Sequence, residues 1–220
     1  MIKSIPNLIT LANLFCGMLA VISAVNLDFE AAFIYVILSA VFDFFDGFMA
    51  RLLKAYSEIG KQLDSLADLV SFGVAPAMVV YFMGLEYTGL LIALASAYRL
   101  AKFNIDERQT TTFIGVPTPA NALLFMSIGY ICQVEPYGVV ANFLSGNITL
   151  SFLTLVFSYL MISEIPFFSL KFKSYDFKEN WIVYSFLLLS LVALILFAIT
   201  ALPFIIMGYV AVSILKNFFE

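Results

Sequence analysis

Asp43, Asp46, Asp64 and Asp68 lie close together in stretches whose other residues are largely apolar, with Gly47, Ala50, Arg51 and Gly60 between them. One ionised aspartate at the centre of a membrane helix costs roughly 2.5 to 3.5 kcal/mol, so four together require cations, water or a bound polar ligand. At about 100° per helical residue, Asp46, Gly47 and Ala50 fall within about 60° of Asp43 and share one face. Gly60, Asp64 and Asp68 step by about 40° and form a second stripe, and the turn over residues 52–59 lets the stripes meet. Carboxylates without histidine suit hard cations such as Mg²⁺ or Mn²⁺, and a pair of such ions clamps a phosphoryl group under displacement. The small residues leave room for a ligand against the backbone, and the planar fork of Arg51 complements phosphate. Asp43 and Asp46 fall roughly 12 and 8 Å below Arg51 at 1.5 Å per residue, which predicts a cavity open at one end. These residues point to a nucleotide diphosphate handled at a lipid interface. Two other readings stay open at this level: aspartates lining a cation or proton pathway, and small residues that only pack helices.

The elements that position these residues are membrane helices. Hydrophobic residues make up 63% of the 220, charged residues 12%, and the mean hydropathy is +1.02, values at odds with a water-exposed domain. Apolar runs at about 8–25, 30–50, 63–83, 88–103, 117–133, 141–163, 181–199 and 202–216 are of a length that spans roughly 30 Å of hydrocarbon. The expectation is therefore an all-α polytopic transmembrane bundle of about eight helices, one domain over residues 1–220, with the carboxylate hairpin at 43–68. The first run is too long for a secretory leader and is read as a retained span. Lys3, Arg51, Lys54, Lys61, Arg99, Lys102, Arg108, Lys171, Lys173, Lys178 and Lys216 all fall on one side, which the positive-inside rule makes cytoplasmic. Both termini then face the cytoplasm, and the outer loops carry only Asp28, Glu30, Glu86 and Glu135. With no histidine and only Cys16 and Cys132 in apolar segments, neither a disulfide framework nor a thiolate metal site is expected. No nucleic-acid partner is expected either.

Written out, Asp43-x2-Asp46-Gly47-x2-Ala50-Arg51-x8-Gly60-x3-Asp64-x3-Asp68 resembles the signature of the CDP-alcohol phosphotransferase family at every specified position. Ile5–Thr10 with Asn13, Gln62–Asp68, Ser71–Pro76, Arg99–Asn104 and Gly115–Pro119 are in turn similar to the CDP-diacylglycerol–serine O-phosphatidyltransferases. The likeness covers about the first 120 residues. Ser65 and Leu69 stand where phosphatidylglycerophosphate synthases carry proline and lysine, which favours serine as acceptor. Lys102 departs from the arginine usual in the serine enzymes.

The resemblance implies attack of the serine hydroxyl on the phosphorus of CDP-diacylglycerol, giving phosphatidylserine and CMP. It implies that Asp43, Asp46, Asp64 and Asp68 hold Mg²⁺ or Mn²⁺, two ions in all, and that Asp68 also acts as general base. Gly47, Ala50, Arg51 and Gly60 would surround the cytidine diphosphate. Arg99 is the candidate for the serine carboxylate, with Ser71, Asn104 and Asn13 as polar neighbours that serve equally well as interhelical hydrogen bonds. Glycerol 3-phosphate or inositol phosphate is the alternative acceptor, and an archaeal-type lipid the alternative donor. A homodimer in the cytoplasmic membrane of a prokaryote, in contact with membrane lipids and with its site facing the cytoplasm, completes what the resemblance implies. Pro117 and Pro119 are read as helix-start punctuation.

Overall fold

A computed structural model describes residues 4–106, 113–167 and 177–219. Lys3, Arg108, Lys171 and Lys173, counted above among the cytoplasmic cations, lie outside the described residues. The chain forms helices α1 (Ile5–Val25), α2 (Phe29–Leu52), α3 (Glu58–Asp68), α4 (Ala75–Phe82), α5 (Glu86–Ile105), α6 (Thr118–Val134), α7 (Val139–Ser145), α8 (Asn147–Ile162), α9 (Phe177–Phe197) and α10 (Leu202–Phe219). A π-helical turn, Leu69–Val74, joins α3 to α4 in one continuous helix, Glu58–Phe82. Residues α7 and α8 are two arms of one expected segment, bent by 62° around Gly146. Counted in this way the eight expected helices are present.

Capping fixes where the first helices begin. Pro6 opens α1, where its missing N–H is no loss. The Asp28 carboxylate accepts from the Ala31 N–H at 2.9 Å to start α2, and the Ser57 hydroxyl accepts from the Gly60 N–H at 3.0 Å to start α3. The expected start at 63 comes too late because α3 opens with a polar turn, Glu58–Gln62, that hydropathy alone does not register. One feature absent from the helical expectation is a short antiparallel pair, Phe113–Ile114 with Pro166–Phe167. It ties the segment before α6 to the segment after α8.

Among the described residues, four helical runs are long and apolar enough to cross a membrane, and α7 with α8 makes a fifth if counted as one span. The last run, Trp181–Lys216, holds 36 residues, well beyond the roughly 20 needed for one crossing. Its chain folds back at the 3-10 turn Ala198–Ala201, since the rings of Phe186 on α9 and Tyr209 on α10 lie 6.3 Å apart. Helix α6 is shorter, 17 residues, and sits inside the bundle with Asn121, Ala122, Leu124, Phe125 and Met126 all fully buried. One core cluster packs Ala20, Phe33, Val36, Phe72 and Val79 against one side of α6, and another packs Ile92, Phe157, Leu160 and Val210 against the other. The π turn is wedged between α1 and α5: a Cβ built on Gly17 would run into Ser71 Oγ, and one on Gly73 would meet Ser96 Cβ at 2.9 Å.

Candidate active site

Helix α2 brings Asp43 and α3 brings Asp64 and Asp68 to one point, where one carboxylate oxygen from each lies within 4.8 Å of the others. Asp64 and Asp68 are one turn apart on the same face of α3, and the reversal after α2 sets Asp43 opposite them. Asp46 is outside this trio of close oxygens but is buried on the wall of the same cavity. Its Oδ2 has no hydrogen-bond partner. Among the described residues, none of the four carboxylates is within ion-pair distance of a lysine or arginine. Converging, unpaired, largely buried carboxylates fit a divalent cation, whose charge would offset both the mutual repulsion and the desolvation.

The trio stands at one edge of a cavity of about 770 Å³ lined by Asp43, Asp46, Gly47, Ala50, Gly60 and Asp64. A Cβ on Gly47 would meet nothing within 4 Å, so the glycine keeps open space for a ligand. Arg51 does not line the cavity; it is exposed on the last turn of α2. Asp68 lies behind the lining, 8% exposed. The cavity also takes in Asn7 and Thr10 from α1 and Tyr56, Ser57 and Lys61 from the α2–α3 junction, none of which sequence reasoning assigned to it. A signal was there for the first two. Asn7, Thr10 and Asn13 recur every third residue in an otherwise apolar helix, a polar stripe turned toward the carboxylates.

The candidates for the acceptor side separate into engaged and unengaged groups. Ser71 donates to Asn13 Oδ1 at 2.8 Å, and Asn104 donates through Nδ2 to the Ser65 hydroxyl at 2.8 Å while its carbonyl accepts from Lys61 Nζ at 2.6 Å. Arg99 is different. It is 8% exposed, its Nε has no partner, Nη1 makes one long contact of 3.4 Å to the Thr118 hydroxyl, and its Cζ stands 5.9 Å from the Phe103 ring centroid. It lies within electrostatic reach of Asp68 and of Tyr209. A guanidinium held this way has donors to spare for an anion. Lys102 points elsewhere, to Glu164 at 3.0 Å, so the departure from arginine at this position ties α5 to the end of α8 and does not shape the cavity.

Residues 3–160, well over half of the chain, match the sequence pattern of CDP-alcohol phosphatidyltransferases. The chain belongs to this family. A CDP-diacylglycerol–serine O-phosphatidyltransferase of Bacillus subtilis is 40% identical over 133 residues, 57% of this chain and 75% of the relative. One from Helicobacter pylori strain J99 is 36% identical over 158 residues, 67% of this chain and 64% of its own. An archaetidylserine synthase of Methanothermobacter thermautotrophicus is 33% identical over 132 residues, covering 56% and 57%. As a member of the CDP-alcohol phosphatidyltransferases, the protein is an enzyme whose four aspartates, cavity and Arg99 all lie inside the family match, while α9 and α10 lie beyond it.

Proposed function

We propose that this integral membrane enzyme transfers the phosphatidyl group of CDP-diacylglycerol to the hydroxyl of L-serine, releasing CMP. What carries the reading is the convergence of Asp43, Asp64 and Asp68 beside a cavity whose Gly47 wall stands open, in a chain whose matched relatives are named as bacterial CDP-diacylglycerol–serine O-phosphatidyltransferases and an archaeal archaetidylserine synthase. Asp43, Asp46, Asp64 and Asp68 would hold two divalent ions, Mg²⁺ or Mn²⁺, which neutralise charge building on the phosphoryl oxygens. Gly47, Ala50 and Gly60 admit the cytidine diphosphate, and Arg51, outside the cavity lining on the last turn of α2, would reach in to complement its charge. The acyl chains stay in the lipid along the apolar outer faces of the helices.

Asp68 takes the proton of the serine hydroxyl as the serine oxygen–phosphorus bond forms and the phosphorus–oxygen bond to CMP breaks. CMP leaves with the electron pair of that bond. On the acceptor side Arg99 receives the serine carboxylate, since it is buried with an unpartnered Nε and lies within electrostatic reach of Asp68; Ser71 and Asn104 frame this region by holding neighbouring groups. The site faces the cytoplasm of a prokaryote, and two copies pair through apolar helix surface.

The test is CMP release by the purified enzyme from CDP-diacylglycerol and Mg²⁺ or Mn²⁺, with L-serine, glycerol 3-phosphate or inositol phosphate supplied in turn. Release with serine alone is expected. Release with another acceptor and none with serine overturns the acceptor assignment. A chelator should abolish release, and added Mg²⁺ or Mn²⁺ should restore it.

A further inference from the structure

Asn13 is fully buried on α1 and does not line the cavity. Its Nδ2 donates to Asp68 Oδ1 at 3.2 Å, and its Oδ1 accepts from the Ser71 hydroxyl at 2.8 Å. The two contacts fix the amide in one sense. An ionised carboxylate only accepts, so the amide nitrogen must face Asp68; the amide oxygen, left without water, then needs the hydroxyl that Ser71 supplies. The main-chain carbonyl of Asn13 accepts from Ser39 at 3.1 Å and lies 3.3 Å from the Ser71 hydroxyl, whose one proton goes to the closer Oδ1; these contacts hold the residue against both α2 and the π turn.

We propose that Asn13, held by Ser71, is a positioning residue for the transfer reaction: it takes one lone pair of Asp68 Oδ1 and fixes the plane of the carboxylate, so that Oδ2 is presented to the acceptor hydroxyl while the carboxylate still shares in holding metal. This rests on the reading that Asp68 accepts the acceptor's proton. The donor is a neutral amide, so it orders the carboxylate without adding a cation that would compete for its charge. A base that turns freely about its Cβ–Cγ bond presents either oxygen at varying angles, and loss of that geometry falls on the chemical step. Removing such a supporting partner typically lowers activity about 10- to 100-fold.

The experiment compares Asn13→Leu, Ser71→Ala, their double variant and Ser39→Ala in the full-length enzyme, each with whichever of the three acceptors the wild type uses. Ser39→Ala is the control, because it deletes a buried hydrogen bond to the Asn13 main chain and leaves the amide alone. Asn13→Leu is expected to lower kcat about 10- to 100-fold, with KM for both substrates within about threefold and most of the thermal shift from CDP with Mg²⁺ retained. Ser71→Ala should show a smaller loss that disappears in the Asn13→Leu background, since it acts through the amide. Ser39→Ala should keep its kcat. Wild-type kcat in Asn13→Leu, additive losses in the double variant, or an equal loss in Ser39→Ala each overturns the proposal. A wild type that rejects serine but uses another acceptor changes the substrate assignment alone, and the same comparisons then decide the role of Asn13.

Discussion

At the residue scale, the four aspartates divide by burial and reach. Asp43, Asp64 and Asp68 share the point where their oxygens come within 4.8 Å, and of these three Asp68 is tied to α1 through Asn13 and lies within electrostatic reach of Arg99. An amide at this position keeps size and polarity while removing the proton acceptor, so Asp68→Asn should retain its fold and its CDP binding. Its turnover should fall by about 10²- to 10⁴-fold, the range supplied by a positioned general base, as read from CMP release beside a CDP thermal-shift assay. Normal turnover would remove Asp68 from that role. Asp43→Asn should behave differently, since it weakens an ion site and leaves the base intact. The metal concentration for half-maximal rate is expected to rise about tenfold or more, each factor of ten being about 1.4 kcal/mol, and an unchanged metal titration would argue against ligation. All four carboxylates were legible in the sequence, because an acid in an apolar helix needs a reason and the spacing supplied a shared face. Engagement of Ser71 and Asn104 with other side chains was not, since a polar residue at membrane depth reads the same whether it faces a ligand or another helix.

At the element scale, close approach is what places Asp68, the proposed base. The π turn Leu69–Val74 begins one residue after Asp68, and inserts where Gly17 lets α1 come against Ser71. A Gly-to-Ala change inside an exposed helix ordinarily stabilises by roughly 0.5 to 1 kcal/mol. At Gly17 the sign should reverse, because the new Cβ would run into Ser71 Oγ and sit 2.9 Å from its Cα, and overpacking of this kind costs about 1 to 3 kcal/mol. Gly17→Ala should therefore melt at a lower temperature in detergent and lose activity, as α1 moves off the π turn and carries Asn13 with it. Gly47→Ala is the counterpart. Its Cβ enters open space, so the free enzyme should be as stable as the wild type or more so, while affinity for CDP falls. Equal melting behaviour in the two variants would show that the approach at Gly17 carries no strain. The helices themselves were readable from hydropathy. The bend around Gly146, the polar first turn of α3 and the π turn were not, since each depends on tertiary contacts or on residues too polar to register in a hydrophobic window.

At the scale of the whole molecule, the carboxylates, the cavity and the described basic side chains gather at one end of the bundle. Arg51, Lys54 and Lys61 flank the junction of α2 and α3, Lys102 ends α5 and Lys216 falls in the last turn of α10. The opposite end carries Asp28, Glu30, Glu86 and Glu135, and there Gln133 of α6 clamps the α1–α2 turn by accepting from Glu30 N–H at 2.8 Å and donating to Leu27 O at 3.2 Å. Lysine and arginine resist translocation where aspartate and glutamate contribute little, so the cavity end should face the cytoplasm. That side also suits a nucleotide: CMP is charged, and release into the compartment where it is recharged needs no carrier. Single added cysteines in a Cys132→Ala background test the arrangement, with buried Cys16 as the unlabelled reference in the parent protein. Gln62→Cys, exposed on α3 near the cavity, should react with a membrane-impermeant maleimide only after cells are permeabilised. Tyr137→Cys, at a position 94% exposed between α6 and α7, should react in intact cells. The opposite pattern would turn the molecule over, place the nucleotide cavity outside, and exclude an intracellular supply of a CDP-linked lipid from the cytoplasmic leaflet.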